Sequence, residues 1–485
     1  MAGAVMLFGA GLLAQSSRAP ATVQSPADTA AAPPVVTGEA PRVLAEINPS
    51  GSSDAEGFVR IRGAIYFRAN DGTHGMELWR TDGTPEGTTL VADINPGDGS
   101  SVPESLIAFQ GRIYFAASHA ATGRELWSTD GTQEGTSLVR DINPAAADAM
   151  PASLVRFRDA LYFRAQDGVT GLELWKTQGT EETTVEVIDL HPGTEGSIPT
   201  SPTVFRGALY FAADDKFTQG QGFDRELWRT DGTAEGTERV SDINPGGLPS
   251  LPSELIPFGK LLIFKAGTSD RGGELWKTDG TEAGTQIVAD MNAGPPSSFP
   301  TNLTRAGREI YFAANDGATG RELWRTDGTE QGTVRLTDIN PGPADSGPIG
   351  VPFRGGFLFT AGDAEHGREL WFSDGTPGDA RLVKDINPGP GLSGPLDLTV
   401  VGRVAYFAVL LPSEAGDNTV RTELWRTDGT EGGTQRVWQA PGRRNGYAIR
   451  DLTAFGGTLF FTAPTQADAD GMATDFEPYI LQAVR

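Results

Sequence analysis

Aspartates in three long segments are the residues of this sequence best suited to chemistry. The segments are 214–224 (DDKFTQGQGFD), 410–422 (LLPSEAGDNTVRT) and 464–476 (PTQADADGMATDF). Carboxylates on loops bind cations and polar ligands, and aromatic side chains beside them add apolar contact area. We therefore predict a ligand-binding surface made of Asp214, Asp215, Phe217, Asp224, Asp417, Asp468, Asp470 and Phe476.

Two further roles are open to these acids. Two carboxyls with unequal pKa values at one bond can act as general acid and base in a hydrolase or lyase. The acids to consider for that role are Asp214, Asp215, Asp468 and Asp470. Asp468, Asp470 and Asp475 resemble part of a calcium loop but lack its full pattern. We assign no catalytic residue, and expect no cofactor except calcium as a weaker possibility.

Motifs of other enzyme classes are missing. The sequence has no Cys, which excludes disulfides, thiolate metal sites and a cysteine nucleophile. It also lacks H-E-x-x-H, G-x-S-x-G and Walker patterns. Residues 389–394 (GPGLSG) match G-x-G-x-x-G, but Pro395 and a strand follow where a phosphate-binding helix would have to begin. The 39 Lys and Arg against 63 Asp and Glu give a net charge of −24, which disfavours nucleic acid and anionic membranes as partners.

A repeat of about 48 residues places these acids in the chain. The triplet Glu-Leu-Trp recurs with gaps of 48, 48, 53, 48, 48, 47 and 54 residues, and Asp-Gly-Thr follows it in nearly every copy. A degenerate ninth copy, EPYILQ, begins at Glu477 and has Tyr479 in place of Trp. A period of this size is typical of propeller blades. The complete triplets begin at Glu77, Glu125, Glu173, Glu226, Glu274, Glu322, Glu369 and Glu423.

Each repeat contains four short segments rich in β-branched and aromatic residues, bounded by Gly, Pro, Asp or Asn. In the second repeat these are 105–109, 112–117, 124–129 and 137–142. No segment has the apolar spacing of a helix over ten or more residues. We predict an all-β fold in which each repeat is a blade of four antiparallel strands, covered on both faces.

The recurring polar residues have structural explanations. Asp-Gly-Thr is predicted to form the turn between third and fourth strands, because Asp bonds to the following backbone and Gly accepts positive φ. An Arg often precedes the Glu of Glu-Leu-Trp, so we expect repeated ion pairs within or between blades. These arginines are Arg124, Arg225, Arg321 and Arg368.

The two ends of the array predict a closed ring. Residues 42–49 (RVLAEINP) match a fourth strand such as 90–96 (LVADINP), whereas the last repeat ends after its third strand. Strand exchange between the ends completes a ninth blade and leaves no open sheet edge. We therefore predict a single β-propeller of nine blades over residues 42–485, with eight blades as the alternative.

The repeated Glu-Leu-Trp triplets with Asp-Gly-Thr downstream resemble the bacterial ELWxxDGT-repeat family over nearly the whole chain after residue 41. The resemblance implies an exported, repeat-built, propeller-like protein and brings no activity or catalytic residue. The turns are also similar to the Asp-box turns of sialidase propellers, but the order S-x-D-x-G-x-T-W is absent.

The N-terminus indicates export. Residues 4–14 form an apolar run followed by small residues, which is typical of a signal peptide, although no basic residue precedes it. We interpret residues 1–18 as signal-peptide-like and residues 19–41, rich in Ala, Pro and Thr, as a disordered spacer. The protein is expected to be secreted, periplasmic or on the cell surface.

The three long segments all fall between second and third strands and so lie on one face of the ring, here called the long-loop face. Insertions on one face of a repeat array are typical of a binding face. We predict an exported, monomeric, non-enzymatic binding or scaffolding propeller that engages a protein or glycan there. The alternatives are an extracellular hydrolase or lyase acting on carbohydrate with carboxylates at the channel mouth, and a calcium-stabilised surface structural protein.

Overall fold

The chain divides into two compact units, Met1–Pro34 and Val35–Arg485, and all described residues belong to the second. The segments predicted as signal peptide and spacer lie outside the described residues except for residues 40 and 41, so export stays a prediction. The side chains of residues 216–218, 222 and 223 are also outside that set. The computed structural model describes residues 40–218, 222–391, 393–413, 419–442, 444 and 446–482.

Thirty-six strands form nine four-stranded antiparallel sheets, so the predicted nine-bladed propeller is confirmed and the eight-bladed alternative is wrong. The described residues contain no helix, and hence none that could cross a bilayer. In blades one to eight the four strands of a sheet follow chain order.

The first four blades comprise strands β2 to β17. Their bounds are β2 Glu56–Ile61, β3 Ala64–Asn70, β4 Met76–Thr81, β5 Thr89–Ala92, β6 Glu104–Phe109, β7 Arg112–His119, β8 Gly123–Thr129, β9 Ser137–Arg140, β10 Ala152–Phe157, β11 Ala160–Gln166, β12 Leu172–Thr177, β13 Val185–Ile188, β14 Thr200–Phe205, β15 Ala208–Thr218, β16 Gly222–Thr230 and β17 Glu238–Ser241.

Blades five to eight comprise strands β18 to β33. Their bounds are β18 Ser253–Phe258, β19 Leu261–Thr268, β20 Gly272–Thr278, β21 Gln286–Ala289, β22 Thr301–Ala306, β23 Glu309–Asn315, β24 Arg321–Thr326, β25 Val334–Arg335, β26 Ile349–Phe353, β27 Gly356–Asp363, β28 Gly367–Ser373, β29 Arg381–Lys384, β30 Leu396–Val401, β31 Val404–Pro412, β32 Val420–Thr427 and β33 Gln435–Gln439.

The ninth blade joins the two ends of the array, as predicted. Its strands are β34 Arg450–Phe455, β35 Thr458–Ala467, β36 Ala473–Gln482 and, from the N-terminal side, β1 Arg42–Val43. Val43 lies opposite Tyr479, and the N–H of Leu44 donates to the carbonyl of Pro478 at 2.7 Å. Head-to-tail pairing therefore closes the ring.

The first strands of neighbouring blades contact one another around the whole ring, including β34 against β2. They are therefore the innermost strands and line the central channel. The apolar core is divided among the seams between blades. At one seam Phe109 and Tyr114 of blade two pack with Phe163 and Trp175 of blade three. Since both faces of each sheet are covered, the strands are nearly continuous apolar runs.

A β-bulge interrupts the first strand of every blade except the seventh. In blade two the bulge lies between Glu104 and Ile107, and Ser105 adopts a φ of 58°. In blade seven β26 pairs with β27 without a shift. Blade seven has therefore lost the bulge residue, which accounts for the single repeat gap of 47 residues.

Candidate functional site

The Glu of the Glu-Leu-Trp triplet is fully buried and binds backbone rather than arginine. The Glu77 carboxylate accepts hydrogen bonds from the N–H groups of Ile94 (3.1 Å), Asn95 (3.3 Å) and Ser101 (3.0 Å) and from the Ser101 hydroxyl (2.5 Å). It thus ties the exit of one blade to the entry of the next. The Glu therefore positions the loops around the channel. The predicted ion pair between this Glu and a neighbouring arginine is wrong.

One triplet departs from this arrangement. The Glu423 carboxylate is ion-paired with Arg421 (3.3 Å) and Arg436 (3.1 Å).

At the other triplets desolvation is the main cause of a raised carboxyl pKa, and the backbone hydrogen bonds oppose it. The pKa is about 6 at Glu274 and about 7 at Glu125, Glu173, Glu226, Glu369 and Glu477.

The arginines that precede this Glu hold the backbone at the channel mouth. Each donates to the carbonyl of a residue at the entry of its own blade's first strand. The pairs are Arg124 with Val102 (3.0 Å), Arg225 with Ile198 (2.6 Å), Arg321 with Phe299 (3.0 Å) and Arg368 with Gly347 (2.5 Å). Charge-assisted bonds of this kind fix the entry residues in place.

At the entries of blades two to six, the corresponding residues present apolar side chains at the channel mouth and have a strained backbone conformation. Their φ angles lie in the left-handed region, which is unusual for large and β-branched side chains. The angles are 45° at Val102, 54° at Met150, 48° at Ile198, 54° at Leu251 and 47° at Phe299. Met150, Leu251 and Phe299 are 47, 57 and 54% exposed. A neighbouring set of exposed apolar side chains indicates a contact surface.

Three carboxylates lie at bulge positions of the channel wall. Glu254 accepts the N–H of Leu303 (2.8 Å), and Asp451 accepts the N–H of Gly57 (2.5 Å), so each bridges to the next blade. Desolvation raises the pKa of Asp397, and the nearby charge of Asp451 adds to the shift. The other side-chain-bearing bulge positions are polar and neutral: Ser105, Ser153, Ser201 and Asn302.

A cavity of about 270 Å³ opens in the wall between blades seven and eight. It lies beside β26, which is the first strand of blade seven and has no bulge. Its lining is apolar apart from a few polar groups, the usual composition of a small-ligand site. The side chains that characterise it are Ile349, Val351, Leu396, Leu398, Arg368 and Asp397.

Two groups of described acids come close enough to share a cation: Asp224 with Glu226 and Asp242, and Glu46 with Asp475 and Glu477. In the first group the guanidinium of Arg239 already supplies positive charge, 3.2 Å from Asp224 and 3.6 Å from Asp242. In the second group Glu477 accepts the N–H of Ile47 (3.1 Å).

No protein family matches the sequence, and no curated protein is similar to it. The resemblance to the ELWxxDGT-repeat family therefore stays a prediction.

Among solved structures, the chain is similar to several enzymes at low identity. A puromycin hydrolase is 14% identical over 76% of this chain and 59% of its own, with a TM-score of 0.41. A prolyl endopeptidase is 12% identical over 79% and 55%, with a TM-score of 0.42. Prolyl oligopeptidase B from Galerina marginata is 12% identical over 78% and 55%, with a TM-score of 0.39. The chain spans less than two thirds of the length of each.

These names contradict the predicted non-enzymatic binding or scaffolding propeller for a protein or glycan, together with its carbohydrate-hydrolase and calcium-structural alternatives. The similar structures are named as a hydrolase of puromycin and as peptidases. At these scores the likeness assigns no activity to any residue of this chain.

The structure brings together the predicted acids of blade four as an ion-pair network. Asp214 binds Arg225 at 2.9 Å, whereas Asp215 and Asp224 lie 3.8 and 3.2 Å from Arg239. Asp214 and Asp224 are buried, so a ligand would not reach them without rearrangement of the loop. The side chain of the predicted Phe217 lies outside the described residues.

The predicted residues of blades eight and nine are arranged differently. Asp468 and Asp470 are exposed, and Asp468 accepts the N–H of Asp470 (3.0 Å), which caps its own loop. Asp475 binds Gln466 (2.8 Å) and groups with Glu46 and Glu477 rather than with Asp468. Phe476 is buried, with the guanidinium of Arg444 4.9 Å from its ring. Asp417 lies outside the described residues.

Sequence reasoning missed the channel-wall residues Arg368 and Asp397 and the apolar entry residues. Two signals point to them. The gap of 47 residues between Glu322 and Glu369 marks the blade that has lost a wall residue. The recurring Ser-x-Pro, at residues 101–103 and 250–252 for example, marks the entry of a first strand.

Proposed function

We propose that this propeller admits an extended peptide segment into its channel from the long-loop face, with an apolar side chain of the peptide in the cavity between blades seven and eight. The cavity beside β26 is the observation that carries the proposal. The binding surface proposed is the channel wall rather than the tips of the long loops. Prolyl endopeptidases are named for acting on peptides, but the support comes from the channel of this chain.

The chemistry of the wall favours a particular kind of peptide. Ile349, Val351 and Leu398 offer contact to an apolar side chain, and burial of such a side chain contributes about 1.5–3 kcal/mol. The carboxylate of Asp397 lines the same cavity, and Asp451 lies nearby. A peptide with a basic residue or free amino terminus next to an apolar side chain complements these groups and the net charge of −24.

The mouth provides the approach to this cavity. Met150, Leu251 and Phe299 expose apolar surface at the entries of blades three, five and six. The N–H groups of Met150 and Leu251 donate to the carbonyls of Arg124 and Arg225 (both 3.3 Å), and Arg321 donates to the carbonyl of Phe299 (3.0 Å), so the surface is formed before a ligand arrives. A pre-formed surface reduces the ordering cost of binding.

Fluorescence anisotropy with labelled leucine-lysine and neutral leucine-serine peptides tests the proposal. The leucine-lysine peptide should bind more tightly. Val351→Phe, which fills the cavity, and Asp397→Asn should each weaken its binding by about tenfold. Val155→Phe is the matched control, because Val155 faces Tyr162 in blade three as Val351 faces Leu358 in blade seven. Equal loss in the control, or no preference between the peptides, would overturn the proposal.

A further inference from the structure

The turns between first and second strands lie on the face opposite the long loops, and they are strongly basic. We call their nine four-residue segments the short-turn rim. The rim comprises residues 60–63, 108–111, 156–159, 204–207, 257–260, 305–308, 352–355, 400–403 and 454–457. It contains ten basic residues and one acid, Asp159, in a chain whose net charge is −24. The basic residues are Arg60, Arg62, Arg156, Arg158, Arg206, Lys260, Arg305, Arg308, Arg354 and Arg403, all exposed.

Hydrogen bonds from one blade to the next link several of these turns. Each of them joins a side chain to the backbone carbonyl of the neighbouring turn. The bonds are from Arg62 to Gly111, from Gln110 to Asp159 (3.5 Å), from Arg158 to Gly207 (3.2 Å) and from Arg354 to Arg403 (3.0 Å). The first strands that carry the turns contact one another around the channel. The positive charges therefore surround its short-turn mouth.

The rim charges are balanced only in part: besides hydrogen bonds from threonines, the charges of Arg158, Arg206 and Arg354 help to lower the pKa of Asp231, Asp279 and Asp428. Among the described residues, no carboxylate lies within ion-pair distance of any of the ten basic side chains. The arginines instead bond to carbonyl groups or stack on rings, as Arg354 does on Phe353 (5.5 Å). Since a carbonyl bond leaves the charge in place, the turns of the rim keep an excess of ten basic residues over one acid in a protein that is otherwise acidic.

An outer ring of aspartates limits what can reach the rim. These residues belong to the turns between third and fourth strands and lie further from the axis on the same face. Hydrogen bonds from the turn threonines are the main cause of their lowered pKa, except at Asp374, where a hydrogen bond with Asp379 is the main cause, so all are charged at neutral pH. They are Asp82, Asp130, Asp231, Asp279, Asp327, Asp374 and Asp428. A flat anionic surface or a duplex would meet this acidic ring, whereas a flexible chain can pass inside it.

We propose that the short-turn rim is a docking surface for an acidic peptide segment of a partner protein. The proposal is independent of peptide admission at the opposite mouth. The chemistry of recognition is a row of carboxylates meeting guanidinium groups that backbone carbonyls already hold in position. Because the rim is exposed, affinity should fall as salt screens the charges.

Binding of a fluorescein-labelled oligoglutamate to the full chain tests this proposal, with oligolysine of the same length for comparison. A fourfold variant, Arg60→Gln, Arg156→Gln, Lys260→Gln and Arg308→Gln, removes rim charges whose side chains make no hydrogen bond to described residues. We expect oligoglutamate to bind, oligolysine not to bind at this face, and the variant to lose affinity by about tenfold at low ionic strength.

A second fourfold variant controls for net charge. It changes Arg42, Arg80, Lys384 and Arg426, which lie on third and fourth strands and outside the rim segments, to Gln. This control should lose less than about threefold in affinity. Equal loss in both variants would overturn the proposal. So would tighter binding of duplex DNA or of anionic phospholipid vesicles than of oligoglutamate, since either result would assign the rim to a different class of partner.

Discussion

In the turn between the third and fourth strands of blade one, the side chain at one position fills the space that a side chain at a second position would need. In blade one the Asp82 carboxylate caps the turn and occupies the volume where Gly87 has no side chain. Blade three carries Gln178 and Thr183 at the equivalent positions, and the Thr183 hydroxyl accepts the N–H of Thr180 (3.2 Å), which corresponds to the N–H of Thr84 that Asp82 accepts in blade one. In blade three the group that caps the turn is therefore at the second of the two positions, whereas in blade one it is at the first.

The exchange can be tested in blade one. Gly87→Thr alone should overlap Asp82 and lower the free energy of unfolding by about 1–3 kcal/mol. Adding Asp82→Gln should restore part of the loss, with a coupling of about 0.5–3 kcal/mol between the two positions. Thermal unfolding midpoints of both single variants and the double variant measure this. A double variant no more stable than Gly87→Thr would contradict the exchange.

At the residue scale the sequence predicted the structure of the turns correctly but the binding partners of the buried Glu wrongly. Asp-Gly-Thr forms the turn expected from its composition, with Gly83 at a φ of 96°. Adjacency of Arg124 and Glu125 in the chain was the basis for the predicted ion pair. Consecutive side chains of a strand point to opposite faces, so these two side chains cannot meet. The backbone partners of the Glu lie 17 and 18 residues away and become neighbours only when the third and fourth strands of the blade pair.

At the element scale the first strand of each blade determines the shape of the channel wall. The bulge places two residues of the first strand opposite one residue of the second strand of the same blade, and the bulge residue projects into the channel wall. The repeat gap of 47 residues shows that one blade is shorter, but periodicity does not reveal which strand lost the residue. The pairing of β26 with β27 does. The cavity beside β26 could therefore not be predicted from the sequence, because it depends on the register of a single strand pair.

Deleting a bulge residue should convert another blade to the blade-seven form. In blade three, removal of Ser153 leaves Ala152 and Val155 able to keep their partners on β11. We expect the variant to fold, with a loss of about 0.5–3 kcal/mol. Far-ultraviolet circular dichroism and thermal unfolding measure the outcome.

Deletion of Phe163 is the control for this experiment. Phe163 is paired with Trp175 in the middle of the sheet, so its loss shifts the register of two strand pairs and turns apolar side chains outward. This control should not fold. If the chain without Ser153 failed in the same way, the bulge would be a required part of the blade rather than an added residue.

At the scale of the whole molecule, closure was predictable and the distribution of charge was not. The spare fourth strand at the N-terminal end and the missing one at the C-terminal end predicted the pairing of Val43 with Tyr479. The net charge of −24 shows an excess of acids but not where on the molecule the charges lie. The rim is basic because residues a blade apart in sequence meet around one mouth, which composition does not reveal.

The buried Glu residues recur at almost every seam and should make stability depend on pH. A carboxyl whose pKa rises from 4.5 when unfolded to about 7 when folded, as at Glu125, binds an additional proton on folding. Such a group stabilises the fold fully below pH 4.5, and the contribution is lost as pH rises through about 7. The turn aspartates act oppositely. Their lowered pKa values mean that their contribution is lost only as pH falls below the unfolded value of 3.8.

Stability should therefore be highest near about pH 5 and lower at about pH 8, measured as the midpoint of thermal unfolding at constant ionic strength. Repulsion within a chain of net charge −24 acts in the same direction, so a variant is needed to separate the two causes. Glu125→Gln removes one titrating group from a seam and should reduce the difference between the two pH values. Glu423→Gln is the control, since that carboxylate is held by Arg421 and Arg436. A midpoint that rose between pH 5 and pH 8 would show that burial of these carboxyls does not control stability.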